Sequence, residues 1–168
     1  MSIKRICTNA ILASMLFAIY FIFSQILYLE FVTFTVILLA LNLPKWNSLW
    51  IVITFVFLVW LVYGIATWSL MYIVIYPGFT LILLLLRKQL SGRIYLTAIF
   101  AFFMGLLIGN LVDLPFLLLS KEVTLMYVII GFQTTLIQGA IAFMSILLLY
   151  EPLAKQLRKL IEKGEVYE

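Results

Sequence analysis

Residues 31–43 read FVTFTVILLALNL, and the number of membrane crossings turns on this stretch. As a helix it reaches only about 20 Å at 1.5 Å per residue, short of the roughly 30 Å hydrocarbon core of a bilayer. It is either a crossing at a thin spot or a re-entrant segment. Longer apolar runs surround it: Ile6–Leu29 before it, then Leu49–Ala66, Trp68–Leu86, Ile94–Leu119 and Thr124–Tyr150. The charges choose between five and six crossings. With the N-terminus inside and six crossings, the inner side receives Lys4, Arg5, Lys45, Arg87, Lys88, Arg93, Lys155, Arg158, Lys159 and Lys163, and the outer side Lys121 alone. That is a strong positive-inside bias. A re-entrant second segment would move the later basic loop and tail outside and spoil it. The expected fold is therefore all-α: six transmembrane helices in one compact bundle, with both termini cytoplasmic.

Composition supports this reading. Of 168 residues, 66% are hydrophobic and 11% charged, against roughly 45–50% and 25% in soluble domains. One core of this size cannot hide that much apolar side chain from water, so lipid is the expected solvent. Six crossings leave no room for a separate soluble domain. Residues 1–168 are expected to form one membrane-embedded domain with a short amphipathic tail from about 151 to 168. In that tail Leu153, Leu157, Leu160 and Ile161 share a helical side, interleaved with Lys155, Arg158, Lys159 and Lys163, as in a basic helix lying on the inner membrane surface. The first apolar run is longer than a signal core and lacks a small-x-small cleavage site.

Several chemistries are excluded. The chain has no histidine and one cysteine, Cys7. A Ser-His-Asp triad, a His-ligated metal and an intramolecular disulfide are therefore impossible. No phosphate-binding loop is present, no pair of intramembrane carboxylates is spaced for acid–base work, and no nucleophile stands beside a base. No catalytic residue, metal ligand or cofactor is assigned. The net charge of +4 follows from topology and leaves no nucleic-acid footprint.

The outer half carries the informative polar groups. Its ionisable residues are Glu30, Asp113, Lys121 and Glu122, a formal balance of −2. Asp113 follows Asn110 by three residues and shares its helical face. It caps a helix end broken by Pro115, lines a cavity, or relays protons. Aromatic and amide residues gather at the same depth: Gln25 and Tyr28 on the first segment, Trp60, Tyr63, Trp68, Tyr72 and Tyr76 where the third and fourth meet, and Gln133 and Gln138 on the sixth. Interfacial belts account for many such aromatics. The amides need hydrogen-bond partners, either between helices or in an outward pocket. The pocket set is Gln25, Tyr28, Trp60, Tyr63, Trp68, Tyr72, Asn110, Asp113, Gln133 and Gln138. Small residues recur every four positions at Ala10, Ser14 and Ala18, at Ala101, Gly105 and Gly109, and at Gly131, Thr135 and Gly139, where helix backbones can approach closely.

The size, the six segments with a short second one, the Ala10-x-x-x-Ser14-x-x-x-Ala18 stripe and the ending Leu147-Leu148-Leu149-Tyr150-Glu151-Pro152-Leu153 together resemble the substrate-binding membrane subunit, or S component, of an energy-coupling-factor vitamin importer of the ABC class. The resemblance implies a subunit of a bacterial cell membrane that captures a vitamin or precursor from outside. It implies a transmembrane coupling subunit (T component) as partner, contacted through Ala10, Ser14 and Ala18, and two ATPases that hydrolyse ATP. With only Lys121 as an outer cation, a neutral or weakly cationic heterocycle such as hydroxymethylpyrimidine or pyridoxine is expected. Cobalamin and a non-transport scaffold of the rod-shape-determining type are the alternatives.

Overall fold

In the computed structural model, residues 3–26, 28–118 and 120–164 are described, and among them every regular element is helical. The order is α1 (Ile3–Phe23), α2 (Val32–Asn42), α3 (Lys45–Tyr63), α4 (Thr67–Leu90), α5 (Ile94–Val112), a short 3-10 turn at Leu114–Leu118, and α6 (Lys121–Gly164). By length and composition α1, α3, α4, α5 and α6 are each apolar enough to cross a membrane, whereas α2 is not long enough to meet the same standard. This is the build of a multi-pass membrane protein.

The short helix is the centre of the bundle. All ten residues from Val32 to Leu41 are buried, packed among α1, α3, α4, α5 and α6. A helix that is buried on every side has no face to give to water, and an 11-residue helix, about 16 Å long, is too short to span the roughly 30 Å core of a bilayer. Helix direction alternates around it. Arg5 of α1 donates to Asn47 of α3 (2.8 Å) at one end, and the rings of Tyr20 and Tyr63 meet at 5.8 Å at the other. So α1 and α3 run parallel, and α2 returns between them from one end of the bundle to the other.

Arginines converge on the end where α2 stops. Arg87 of α4 donates to the Leu43 carbonyl (2.8 Å). Arg158 of α6 donates to Asn42 Oδ1 (2.8 Å), while Asn42 Nδ2 donates to Leu38 O (2.8 Å) and to the Tyr150 hydroxyl (3.3 Å). The Leu43 carbonyl is one of the backbone acceptors that a helix C-terminus leaves open, at the negative end of its dipole, where the arginine charges are favourable.

Several boundaries differ from the apolar runs. The first helix stops at Phe23, not Leu29, because Ile26 N and Leu29 N turn back onto Phe23 O and Ile26 O (both 3.1 Å), and Tyr28 adopts φ +72°. The third begins directly after Pro44 and ends at Gly64, whose φ of +79° a side chain would strain. The fifth breaks at Asp113 and Pro115 into the 3-10 turn; Leu119 lies outside the described residues. The tail is not a separate helix but a continuation of α6 through Pro152 to Gly164. Tyr150 and Arg158 stand about 12 Å apart along a helix, yet both reach Asn42, so the tail lies across the end of α2. Leu157 and Ile161 pack against the cluster of Ala13, Leu39, Leu43 and Ile51, which corrects the expectation that the whole apolar side faces lipid. Leu160 remains exposed. Residues 165–168 lie outside the described set, as does the side chain of Lys163.

The most extensive seam joins α5 and α6, where two of the small-residue stripes face each other. A Cβ on Gly105 would stand 3.0 Å from Gly139 Cα, and one on Gly139 would stand 2.8 Å from the Phe102 carbonyl. Asn110 Nδ2 crosses the same seam to Thr135 Oγ1 (3.4 Å) and also donates to Leu106 O (2.7 Å). Gly139→Val should therefore part the helices and lower stability by about 1–3 kcal/mol. Gly78→Ala, in α4 with open space where its Cβ would go, should be neutral or stabilising. Thermal unfolding of the two purified variants checks the contrast.

Candidate functional site

At the end of the bundle opposite the arginines, five helices leave a cavity of about 290 Å3. Tyr20, Phe23 and Ser24 bring the end of α1 to it, and Tyr28, Glu30 and Phe31 the connection to α2. Tyr72 and Tyr76 supply one wall from α4, Ile108, Gly109 and Val112 another from α5, and Thr134 and Gln138 a third from α6. The first turns of α4 are aromatic by sequence, so helical spacing puts Trp68, Tyr72 and Tyr76 in one row. Trp68 and Tyr72 meet edge to face at 5.5 Å, and Tyr72 and Tyr76 at 5.0 Å. Tyr20 packs edge-on to Tyr72 at 6.1 Å and to Phe55 at 5.7 Å. Interlocked aromatic edges and faces of this kind hold one another rigid.

Glu30 is the single acidic or basic side chain of this lining apart from its tyrosines. Its Oε1 accepts the Thr33 backbone N–H at 2.8 Å, satisfying an orphan donor in the first turn of α2. Its Oε2 is out of reach of solvent and has no hydrogen-bond partner among the described residues. Burial pushes the carboxyl above the usual carboxylate range, opposed in part by hydrogen bonds from the first turn of α2. Two residues earlier, Tyr28 has φ +72°, a left-handed conformation that costs a non-glycine residue energy and is commonest at functional sites.

The pocket set read from the sequence separates into three groups. Tyr28, Tyr72 and Gln138 line the cavity. Tyr63 and Trp68 stand behind it, supporting Tyr20 and Tyr72 through their rings. The remaining residues serve elsewhere. Trp60 Nε1 donates to the Ser69 carbonyl (2.7 Å) and staples the α3–α4 turn, which Ser69 Oγ also braces by accepting from Ala66 N (2.8 Å). Gln25 is exposed and reaches Ser24 Oγ (3.4 Å). Gln133 is exposed on α6. Asn110 bonds between helices, as one of its two readings anticipated. Asp113 caps α5, its carbonyl accepting Phe116 N (3.1 Å) and its carboxylate lying beside Gly131.

Tyr20, Glu30, Tyr76 and Thr134 join the lining without having been in that set. Glu30 was visible as an outer acid, but its role depends on the chain turning at 24–31 instead of continuing as helix. Among the described residues no three Cys, Asp or Glu side chains gather closely enough to hold a metal ion.

On α1 only Asn9, Ala13 and Leu16 are buried, so Ala10, Ser14 and Ala18 all point away from the bundle. Exposed Ile11, Met15 and Ile22 flank them. Comparison with protein-family models, with curated proteins and with solved structures finds no match to this chain.

Because the folded protein holds the Glu30 proton more tightly than the unfolded chain, its stabilising effect is present at low pH and fades as pH rises through the folded pKa. Melting temperatures over about pH 4 to 8 should fall more steeply for the native chain than for Glu30→Gln, whose amide oxygen can still accept Thr33 N–H. Parallel curves would show that this carboxyl titrates alike in the folded and unfolded chain, against a pKa raised by burial.

Proposed function

We propose that this chain is the substrate-capture subunit of an energy-coupling-factor-type importer. It binds a small water-soluble vitamin or precursor from outside a bacterial cell membrane and passes it inward with a coupling subunit and two ATPases. The observation that carries the reading is the aromatic cavity of Tyr20, Tyr72 and Tyr76 at the acidic end of a bundle whose other end gathers the arginines. Under the positive-inside rule the arginine end faces the cytoplasm and the cavity faces out. The return of α2 through the bundle supports six crossings with both termini inside.

The cavity size favours a small ligand. About 290 Å3 is at the bottom of the roughly 300–1,000 Å3 range of small-molecule sites, which suits a single heterocycle and disfavours cobalamin. Flat aromatic walls with Thr134 and Gln138 as polar anchors match a neutral or weakly cationic ring better than an anion, which would face Glu30. Without catalytic machinery or a phosphate loop, the chain leaves ATP hydrolysis to its partners. The outward stripe of Ala10, Ser14 and Ala18 is the surface on which the coupling subunit would close-pack.

Protein purified from cells in rich medium, then denatured, should release a stoichiometric small molecule identifiable by mass spectrometry. An empty protein that no vitamin stabilises against heat would favour a membrane scaffold, since ligand at 100 times its Kd should add about 2.7 kcal/mol. Ala10→Leu and Ser14→Leu should abolish transport by the assembled importer while the isolated subunit binds ligand normally. Loss of binding in either variant would assign the stripe to the protein's own packing.

A further inference from the structure

The basic end of the bundle holds a second concavity. Where the α6 tail passes the turn between α4 and α5, an open cleft of about 800 Å3 remains, lined by Gly92, Tyr150, Glu151, Lys155, Arg158 and Lys159. Helical spacing puts the last four on one side of α6, three cations against one carboxylate. Two further donors are already held in place. Arg158 Nε donates to Asn42 Oδ1 (2.8 Å), which orients the guanidinium and leaves its two terminal nitrogens as donors. The Tyr150 hydroxyl accepts from Asn42 Nδ2 (3.3 Å), so its own proton is left for another acceptor. Asn42 is anchored in turn on the Leu38 carbonyl (2.8 Å). One amide therefore positions both a guanidinium and a phenol at the cleft.

The same side of α6 is apolar and grooved deeper in the membrane. One groove of about 400 Å3 follows Ile137, Ile141, Met144 and Leu148 beside Phe31. A second, of about 390 Å3, follows Ile99 and Phe102 of α5 and Phe143 of α6. They share exposed Ala140 and Met144, which stand in the helical row that continues to Glu151, Lys155 and Arg158. From Ala140 to Glu151 the helix rises about 16 Å, the depth of one leaflet in a hydrocarbon core of roughly 30 Å.

We propose that the cleft binds the phosphate of an anionic phospholipid whose two acyl chains lie in the two grooves along α6. The proposal does not depend on the capture reading; it needs only the basic end in the headgroup layer. Guanidinium, ammonium and hydroxyl donors together recognise a phosphate, and basic pockets between membrane helices at this level suit anionic headgroups. The excess of cations favours a net negative headgroup over a zwitterionic one, and the Glu151 carboxylate can accept a headgroup hydroxyl. A free phosphate shares the chemistry of the cleft but leaves both grooves unused.

The full-length chain in detergent is titrated with phosphatidylglycerol, with phosphatidylcholine of the same chains, and with glycerol 3-phosphate, while its melting temperature is followed. Phosphatidylglycerol should bind at least about tenfold more tightly than phosphatidylcholine. Lys155→Gln combined with Lys159→Gln leaves the Arg158–Asn42 bond intact and should lose that preference. Lys4→Gln combined with Lys88→Gln removes equal charge at exposed positions outside the cleft and should keep it. Ala140→Trp, which fills the place where the grooves meet, should weaken both lipids. Equal binding of the two lipids, equal loss of preference in the two double variants, or glycerol 3-phosphate binding as tightly as the lipid overturns the proposal. Normal lipid binding by Ala140→Trp overturns the placement of the chains. If the cleft double variant keeps its lipid preference but no longer assembles with protein partners, the cleft is a protein-docking surface and the lipid proposal falls.

Discussion

The structure depends on burying a helix too short to span a bilayer. Backbone groups in hydrocarbon must be paired internally, and the terminal N–H and C=O groups of a short buried helix need partners within the bundle. Side chains come to it. At its start Glu30 takes the Thr33 N–H; past its end Arg87 reaches the Leu43 carbonyl, and Asn42, Tyr150 and Arg158 form a network around the final turn. The five longer helices pack around this rod, and both chemically distinctive ends of the protein arise where its termini are satisfied.

The two ends differ because a helix's two termini want opposite charges. The N-terminal end draws a carboxylate into an otherwise apolar and aromatic space, and the loop that delivers it cannot also be helix. A cavity remains where α1 would have continued. The C-terminal end draws cations, and the tail of α6 folds across it past Pro152, its apolar side resting on Leu39 and Leu43. The basic end is therefore also a structural cap. Among the described residues at the opposite end, Glu30 Oε2 and Thr33 Oγ1 are both buried without a hydrogen-bond partner.

Close packing between α5 and α6 gives the bundle its other fixed relation. Gly105 and Gly139 allow backbone contact that larger residues would forbid, and Asn110 pairs with Thr135 inside the seam. These small residues were readable as stripes, but which stripes would meet was not, since four-residue spacing reports a face and not its partner. The stripe at Ala10, Ser14 and Ala18 has the same pattern and faces outward instead.

The sequence by itself determined the helical class, the membrane character, the basic and acidic ends, and the place of the odd short segment, because apolar run length and charge position are local properties of the chain. It also marked Tyr28, Tyr72 and Gln138, which lie at the depth where polar and aromatic residues cluster. Only the tertiary structure decided that Trp60 and Asn110 are occupied holding a turn and a helix seam together, which of the readings of Asp113 at the broken end of the fifth helix holds, and that Glu30 turns inward. Those outcomes depend on which helix faces which and on where an orphan backbone donor needs an acceptor. Such contacts join residues distant in the chain, and no single stretch of sequence contains both partners.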